Sequence, residues 1–229
     1  MTQLQQATPA VIPAYGAESW ITDVVKRTLA QVPLVLVVDD GSKDSTAEQA
    51  GRAGAEVLSL PENRGKGNAL RVGMEALFDR GYQRVVTLDA DGQHLPEEIP
   101  RLLEAADGGA DLVLGSREHR FAEMSTLRRV SNRWSSKVIS WVSGLPLPDA
   151  QTGFRVYSKR LLEATGLPEP RFEAESCVLV RAGRLGLRVT SVAIRLGAAD
   201  GRQTSHYRAW VDGGRIAWAV AKARLGRLP

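Results

Sequence analysis

Two aspartates and a histidine follow a short apolar run in the segment RVVTLDADGQH. Asp89 and Asp91 are one residue apart, and Gly92 lets the chain turn so that both carboxylates face one ligand. Such a pair suits a hard divalent cation, which takes oxygen ligands and keeps positions for phosphates and water. Gln93 adds a carbonyl oxygen, whereas the ring nitrogens of His94 prefer softer metals. Taken alone, the pattern also fits aspartates that cap the next helix.

Two other segments combine charged residues with glycine. In VDDGSKDST, Asp39 and Asp40 can accept hydrogen bonds from a base or a ribose, or can form an ordinary capped turn. In ENRGKGNAL, Gly65 and Gly67 flank Lys66, and backbone N–H groups there can cradle an anion at a helix start. The segment lacks the P-loop spacing GxxxxGK[ST], and GxGxxG does not follow the first apolar run, which argues against a dinucleotide fold.

Arginines gather just past the middle of the sequence, at Arg117, Arg128, Arg129 and Arg133. Guanidinium groups bind phosphate oxygens in bidentate fashion, so this cluster can hold a phosphorylated acceptor, or it can be a solvated helix face. Further along, Glu173 and Glu175 stand at a helix start, where carboxylates also interact favourably with the helix dipole. A general base would require more than this position.

The elements that must position these residues can be read from the apolar runs. The first half alternates polar segments of helical length with five such runs: AVIPAY, LVLVVDDGS, AEVLSL, RVVTLDAD and DLVLGSR. Continuous apolar runs are typical of strands buried on both faces, so we predict an α/β domain with a largely parallel sheet. Ligands of such sheets bind beyond the carboxyl ends of the strands, where three of these runs carry their polar residues.

The second half has a different pattern. Residues 122 to 143 predict an amphipathic helix with apolar residues three or four apart on one side: Leu127, Val130, Trp134, Val138 and Trp141. GFRVYS and LRVTSVAIRL predict strands, and RFEAESCVLVRAGRLG predicts a helix. A terminal helix over 206 to 225 carries Val211, Trp218 and Leu225 as an apolar stripe beside basic residues. Such a helix can lie in an anionic membrane surface or pack on the domain.

Composition narrows the classes of protein. The chain has 229 residues and 43% hydrophobic content, enough for one domain with its own core. The single cysteine excludes an internal disulfide framework. The first ten residues do not read as a signal peptide, and no apolar run approaches the ~20 residues of a membrane span. The cytoplasm is therefore the expected compartment.

Six segments in order resemble the motifs of the family 2 glycosyltransferases: VIPAY, VDDGSKDST, ENRGKGNAL, LDADGQH, GSR and DAQTGFRVYS. They are most similar to the branch that includes dolichol-phosphate mannosyltransferase and the bacterial polyprenyl-phosphate glycosyltransferases. The resemblance spans roughly residues 10 to 207. It implies a GT-A fold, a Rossmann-like fold of nucleotide-sugar transferases. It also implies a sugar-nucleotide donor and a divalent metal, Mg²⁺ or Mn²⁺.

The resemblance also implies residue roles. The residues that would bind the donor are Pro13, Ala14, Tyr15, Asp40, Lys66, Asp89, Ala90, Asp91 and Gln151. Asp91 would bind the metal, together with Gln93 and Asp89. The catalytic residues would be Asp91 and Asp149. Arg117, Arg133 and Arg202 would bind the acceptor phosphate. Glu175 matches an acidic position of the family.

The chain departs from the family's pattern at two places. Where the family reads Pro-x-Tyr-Asn-Glu, Gly16 and Ala17 replace the last two residues, and Glu18 is the substitute one position later. Near the end, the segment GRQTSHYR is shorter than in the family and has His206 in place of a lysine.

The resemblance implies a metal-dependent transfer of a hexose, with inversion, from a donor of the GDP-mannose or UDP-glucose type to a polyprenyl or dolichyl phosphate. An anionic phosphate acceptor needs positioning rather than deprotonation. The alternative, a hydroxyl acceptor, would need a general base, for which Asp149 and Glu175 are the candidates. A rival from another class is a module that binds a nucleotide sugar without turning it over.

The expected organisation is one catalytic domain over residues 1–205, with a donor half at about 9–117 and an acceptor half at about 118–205. Residues 206–229 would form a basic amphipathic helix, peripheral to the cytoplasmic face of a membrane. The expected partners are the donor and a lipid phosphate. Nucleic acid is not expected, because no aromatic residues for stacking are interleaved with the arginines.

Overall fold

The computed structural model describes residues 7–117, 126–197 and 209–226 of the chain. Within these ranges seven strands form one sheet in the order β3-β2-β1-β4-β6-β5-β7. The strands are β1 (Ala10–Ala14), β2 (Val35–Asp39), β3 (Glu56–Ser59), β4 (Arg84–Thr87), β5 (Leu112–Ser116), β6 (Arg155–Ser158) and β7 (Val189–Ala193). Strand β6 runs antiparallel to both of its neighbours, β4 and β5, while the other pairs are parallel. The predicted α/β fold with a mostly parallel sheet is confirmed.

Helices connect the strands and flank the sheet. They are α1 (Ile21–Leu29), α2 (Thr46–Arg52), α3 (Lys66–Asp79), α4 (Ile99–Asp107), α5 (Thr126–Ser143), α6 (Lys159–Thr165), α7 (Glu173–Arg184) and α8 (Ala209–Leu225). A 3₁₀ turn at Pro96–Glu98 precedes α4, where proline suits the first turn because its missing N–H would have no partner there. The predicted strands are observed, as are the helices predicted over 122–143 and 206–225, except that residues 122–125 and 206–208 lie outside the described ranges. Helix α6 was not predicted.

The sheet is covered on both faces, which is why its strands read as continuous apolar runs. On one face, Val11 and Leu36 belong to a core shared with α3 and α7. On the other face, Ile12 and Val37 belong to a core shared with α1 and α4. Helix α3 packs closely on β1 at Gly73, where an added Cβ atom would lie 2.7 Å from a methyl group of Val11.

The C-terminal half completes the same sheet rather than building a separate one. Strand β6 lies between β4 and β5, and β7 forms the edge beside β5. Helix α7 is buried along most of its length and contacts both α5 and α8. The predicted halves, divided near residue 117, therefore share one sheet.

Two helices expose the large apolar side chains that their sequences place in stripes. On α5, Ile139 is buried, whereas Trp134 and Trp141 are 68% and 85% exposed. On α8, Val220 is buried, whereas Trp218 is 76% exposed. The members of these stripes whose side chains the structure describes thus face away from the core, because other residues of both helices pack on α7. No helix among the described residues is both long and apolar enough to cross a bilayer.

Candidate active site

The polar residues predicted to line one crevice do follow strands that end at the same edge of the sheet. Asp40 follows β2, Asp89 follows β4 and Arg117 follows β5. Because β6 is antiparallel to β4 and β5, its amino end lies at this edge, with Arg155 opposite Thr87. The loop 149–153, which leads into β6, therefore joins the carboxyl ends of the parallel strands.

Lys66 connects two carboxylates that are far apart in the sequence. Its Nζ lies 2.7 Å from Asp89 Oδ1 and 2.8 Å from Glu175 Oε2. Lys66 is the first residue of α3, and Glu175 lies in the first turn of α7, so two helix starts converge at this point. The structure thus brings the predicted Lys66 and Asp89 into direct contact and adds Glu175 to them.

The pair is closed on one side by Gly153. A Cβ atom added there would lie 2.7 Å from both carboxylate oxygens of Asp89 and from Lys66 Nζ. A residue with a Cβ atom at this position would displace the side chains of the pair. At Gly153 the loop 149–153 therefore approaches Asp89 with its backbone.

Both members of the pair are held in their charged forms. Burial disfavours the ammonium group of Lys66, but the charges of Asp89 and Glu175 outweigh that cost and raise its pKa above the ordinary value. Burial likewise disfavours the Asp89 carboxylate, but the attraction of Lys66 keeps the pKa of Asp89 well below its usual range. Asp89 is an anion at neutral pH with a cation already bound to it.

Arg155 is fully buried and organises the backbone around this cluster. Its guanidinium donates to the carbonyl oxygens of Thr152 at 2.7 Å, Glu175 at 2.8 Å and Ala150 at 3.0 Å. Its Nε also lies 3.8 Å from Glu175 Oε1, an ion pair without a hydrogen bond. One side chain thereby joins the loop 149–153 to the first turn of α7.

Asp149 and Arg117, predicted for catalysis and for the acceptor phosphate, bind each other. The Arg117 Nε donates to Asp149 Oδ2 at 2.7 Å and Nη2 donates to Oδ1 at 3.2 Å. The Asp149 carboxylate also accepts from the backbone N–H groups of Arg117 and Gln151. Asp149 is buried, so a direct role as a base would first require these bonds to break.

His94 shapes the turn after β4. Its Nδ1 accepts a hydrogen bond from the backbone N–H of Asp89 at 3.1 Å, which makes it an unprotonated acceptor. Burial, the largest effect, lowers the pKa of His94 to about 4. The ring also lies against Phe154, with 5.2 Å between ring centroids. This arrangement fits the sequence-based preference for oxygen ligands over His94.

The same turn presents the oxygen donors predicted for a metal. Asp91 Oδ1 accepts from the backbone N–H of Gln93 at 3.0 Å, so the two residues lie in one tight turn. Among the described residues, no three His, Cys, Asp or Glu side chains cluster as a complete metal site. One carboxylate and one amide oxygen fit Mg²⁺ or Mn²⁺ shared with a diphosphate, because such ions keep several positions for phosphates and water.

The glycine turn before α3 serves close packing. Gly65 N–H donates to Asp40 Oδ2 at 2.7 Å, and Asn68 N–H donates to the carbonyl of Pro170 at 2.9 Å. A Cβ atom at Gly65 would lie 2.5 Å from that same carbonyl oxygen. Two N–H groups of the predicted anion cradle thus donate hydrogen bonds to other groups of the protein. The turn packs directly against the segment before α7.

Asp40, predicted to contact the nucleoside, is buried and supports this turn. Its two carboxylate oxygens accept from the N–H groups of Arg64 and Gly65 at 2.8 and 2.7 Å. Burial raises the pKa of Asp40, although these two hydrogen bonds act in the opposite direction. Its contact with a donor stays a prediction.

The loop after β1 departs from the family's pattern and is held by the segment that leads into α2. Pro13 and Ala14 end β1, and Tyr15 follows with a partly exposed side chain. Gly16 N–H donates to the Ser42 hydroxyl at 3.0 Å. The Glu18 carboxylate accepts from Ser45 N–H at 3.2 Å, so Glu18 binds the start of α2.

The remaining predicted residues differ in what the structure describes. Ala90 is buried in the turn after β4. Gln151 donates from its side chain to the Ser135 hydroxyl of α5 at 2.8 Å. Arg133 lies in α5, but its side chain is outside the described part of the structure, and Arg202 lies outside the described residues altogether.

Two functional features were missed from the sequence. Arg155 stands at the start of an apolar strand, and nothing in its neighbours indicates that the guanidinium is buried. Gly153 was noted only as part of a motif, and its contact with the Lys66–Asp89 pair depends on the antiparallel placement of β6.

Comparison with known proteins agrees with this geometry. The family described as Glycosyl transferase family 2 matches residues 10–166. The undecaprenyl-phosphate mannosyltransferase of Micrococcus luteus is 32% identical, over 94% of this chain and 98% of that protein. The polyprenol monophosphomannose synthase of Mycolicibacterium smegmatis is 34% identical, over 71% of this chain and 65% of that protein.

A solved structure extends the similarity to the fold. Glucosyl-3-phosphoglycerate synthase from Mycobacterium tuberculosis, in complex with Mn²⁺, UDP and glucosyl-3-phosphoglycerate, superposes with a TM-score of 0.71 at 25% identity. The match covers 99% of this chain and 84% of that one. The predicted GT-A fold and glycosyltransferase class are confirmed. The chain is an enzyme that belongs to glycosyltransferase family 2.

Proposed function

We propose that this enzyme transfers a hexose from a nucleoside-diphosphate sugar to a polyprenyl or dolichyl phosphate, with inversion at the anomeric carbon. The Micrococcus luteus relative is named as a mannosyltransferase that uses undecaprenyl phosphate, and this chain spans 98% of it. That relation supports a hexose as the transferred sugar and a lipid phosphate as the acceptor, and the similar fold solved with UDP and Mn²⁺ supports a nucleoside-diphosphate donor.

One observation favours a phosphate acceptor over a hydroxyl. Both carboxylates that the sequence nominates as a general base are ion-paired: Asp149 with Arg117 at 2.7 Å and Glu175 with Lys66 at 2.8 Å. A hydroxyl acceptor needs a base within hydrogen-bond reach of its proton. A phosphate is already ionised at neutral pH, so positioning and charge stabilisation are sufficient.

The metal would be held by Asp91 and Gln93 in the turn after β4. Asp89 also carries the metal prediction, but Lys66 is bound to its Oδ1, so we assign Asp89 a supporting role. When bound, Mg²⁺ or Mn²⁺ would neutralise the charge that develops on the departing diphosphate. Lys66 adds a protein cation beside the same turn.

Arginines would hold the acceptor phosphate. Asp149 fixes the Arg117 guanidinium through Nε and Nη2, which orients its plane at the end of β5. A guanidinium held in this way loses little side-chain freedom when it binds a phosphate. Arg133 and Arg202 are proposed to complete this acceptor side, with residues 9–117 serving the donor and 118–205 the acceptor.

The exposed indoles support contact with a membrane surface. Trp134 and Trp141 lie about two turns apart on the exposed side of α5, and Trp218 is exposed on α8 with Lys222 one turn further along. Tryptophan favours the membrane–water interface, and basic residues favour anionic headgroups. A lipid acceptor would be met at such a surface, so we propose peripheral attachment at the cytoplasmic face.

A transfer assay tests the proposal. The protein is incubated with Mn²⁺, undecaprenyl phosphate and radiolabelled GDP-mannose or UDP-glucose, and label is measured in the organic phase. Undecaprenol, which has a hydroxyl in place of the phosphate, is the matched control acceptor. We expect label only with the phosphate. Transfer to undecaprenol or to a soluble sugar would contradict the lipid-phosphate acceptor, and donor binding without any transfer or hydrolysis would indicate a binding module.

A further inference from the structure

Four buried or partly buried charges alternate in sign from the second half of the chain to the donor side. Arg155 faces Glu175 at 3.8 Å, Glu175 binds Lys66 at 2.8 Å, and Lys66 binds Asp89 at 2.7 Å. The side chains of Arg155, Glu175 and Lys66 are largely shielded from water, while that of Asp89 is about one-third exposed. The series therefore ends at Asp89, the member most open to a ligand.

We propose that Glu175 is a positioning residue for the donor site, which acts on Asp89 through Lys66. The inference rests on the proposed function, in which Asp89 serves the donor side. Glu175 would neither contact the acceptor nor accept a proton. Its task would be to hold the ammonium group of Lys66 in the place where it fixes the Asp89 carboxylate.

The lysine side chain explains why a second carboxylate is needed. Lysine is a flexible chain with a compact charge, and it loses much rotational freedom when held in one place. With Asp89 alone, the ammonium group could follow the carboxylate in several geometries. Contacts of 2.7 and 2.8 Å from two sides define one position for Nζ, and Gly153 leaves just enough space beside it.

Glu175 is itself fixed by groups that do not belong to the donor side. Its backbone carbonyl accepts from Arg155, and its Oε1 is buried beside the same guanidinium. The first turn of α7 follows the segment on which Gly65 lies. The position of α7 is thereby transmitted to Asp89 through the two ion pairs that Lys66 forms, with Glu175 and with Asp89, rather than through a contact of Glu175 with substrate.

A double-mutant cycle tests the proposal. Wild type, Glu175→Gln, Lys66→Met and the double variant are compared by calorimetry for binding of GDP and of UDP in the presence of Mn²⁺. Glu173→Gln removes a carboxylate from the same helix turn, outside this ion-paired series, and is the matched control. If Lys66→Met does not fold, Lys66→Gln takes its place in the cycle.

We expect Glu175→Gln to weaken Mn²⁺-dependent nucleotide binding about fivefold in the wild type and not at all in the Lys66→Met background, since the effect passes through Lys66. Glu173→Gln should leave binding unchanged. In turnover, Glu175→Gln should raise the donor KM and leave the acceptor KM unchanged. An equal loss from Glu175→Gln in both backgrounds, or no loss in the wild type, would overturn the proposal.

The cycle also separates this inference from the proposed function. Melting temperatures of the four proteins without ligand report the coupling of Lys66 and Glu175 independently of any activity. Changes in melting temperature that are not additive support the coupling, and additive changes overturn it. A wild type that binds neither nucleotide would instead contradict the proposed donor class.

Discussion

The carboxylate of Asp149 and the guanidinium of Arg117 form a two-point pair, with Nε–Oδ2 at 2.7 Å and Nη2–Oδ1 at 3.2 Å. Asp149 precedes β6 and Arg117 follows β5, so the pair joins two adjacent strands at the edge where the candidate site lies. A residue that the sequence nominated for catalysis thus holds one nominated for the acceptor.

Replacement of Asp149 should therefore affect stability and acceptor binding together. Asp149→Asn leaves the largely buried Arg117 without its counter-ion, and we expect unfolding free energy to fall by about 3 kcal/mol. The acceptor KM should rise, because the guanidinium loses its orientation. Urea denaturation and steady-state kinetics check both effects. A stable variant with a lost kcat and an unchanged acceptor KM would instead identify Asp149 as a base.

Gly153→Ala should disturb the Lys66–Asp89 pair, whose atoms lie nearest to the added methyl group. The added Cβ would lie 2.7 Å from both Asp89 oxygens and Lys66 Nζ, while Gly153 does not have the positive φ that would strain an alanine. We expect Mn²⁺-dependent nucleotide binding to weaken at least about tenfold by calorimetry, a loss near 1.4 kcal/mol. Gly51→Ala is the control, because its Cβ would only meet Val57 at 3.8 Å. Equal affinities in both variants would contradict the contact.

His94 should make the metal-free protein less stable in mild acid. Burial lowers its pKa to about 4, from 6.5 in the unfolded chain, so between these pH values the unfolded state binds more protons. Its stabilising contribution is complete above pH 6.5 and is lost as pH falls towards 4, by about 3 kcal/mol in total.

His94→Asn tests this dependence, because the amide oxygen can still accept from Asp89 N–H but does not titrate in this range. Unfolding free energies are measured by urea denaturation in EDTA at pH 4, 5, 6 and 7. The difference between wild type and variant should change with pH in the stated direction. A constant difference across the series would show that His94 titrates normally.

The exposed tryptophans of α5 should matter for vesicle binding and not for folding. Trp134→Ser/Trp141→Ser removes two side chains that are 68% and 85% exposed, so the melting temperature should stay within a few degrees of wild type. The affinity for anionic vesicles, measured by sedimentation at physiological salt, should fall about tenfold. Trp218→Ser, tested separately, reports the contribution of α8. Unchanged sedimentation of all variants would count against membrane contact through these residues.

Much of the fold was readable from local patterns. The five apolar runs of the first half are strands β1 to β5, and α3 begins at Lys66, at the helix start that the sequence indicates there. The positions of Asp40, Asp89 and Arg117 directly after apolar runs indicated the site, because ligands of parallel sheets bind beyond the carboxyl ends of the strands. The order of the strands and the direction of β6 had no such local signal.

The sequence by itself determined the strands, the helices and the edge of the sheet that carries the acidic and basic residues, because these depend on periodicity and turn chemistry over a few residues. Only the tertiary structure decided the partners: Lys66 with both Asp89 and Glu175, Arg117 with Asp149, and Gly153 against the first of these pairs. It also decided that Trp134 and Trp141 face outwards. The physical reason is that an ion pair or an exposed face depends on which distant element packs alongside. The packing of the whole core determines which elements become neighbours.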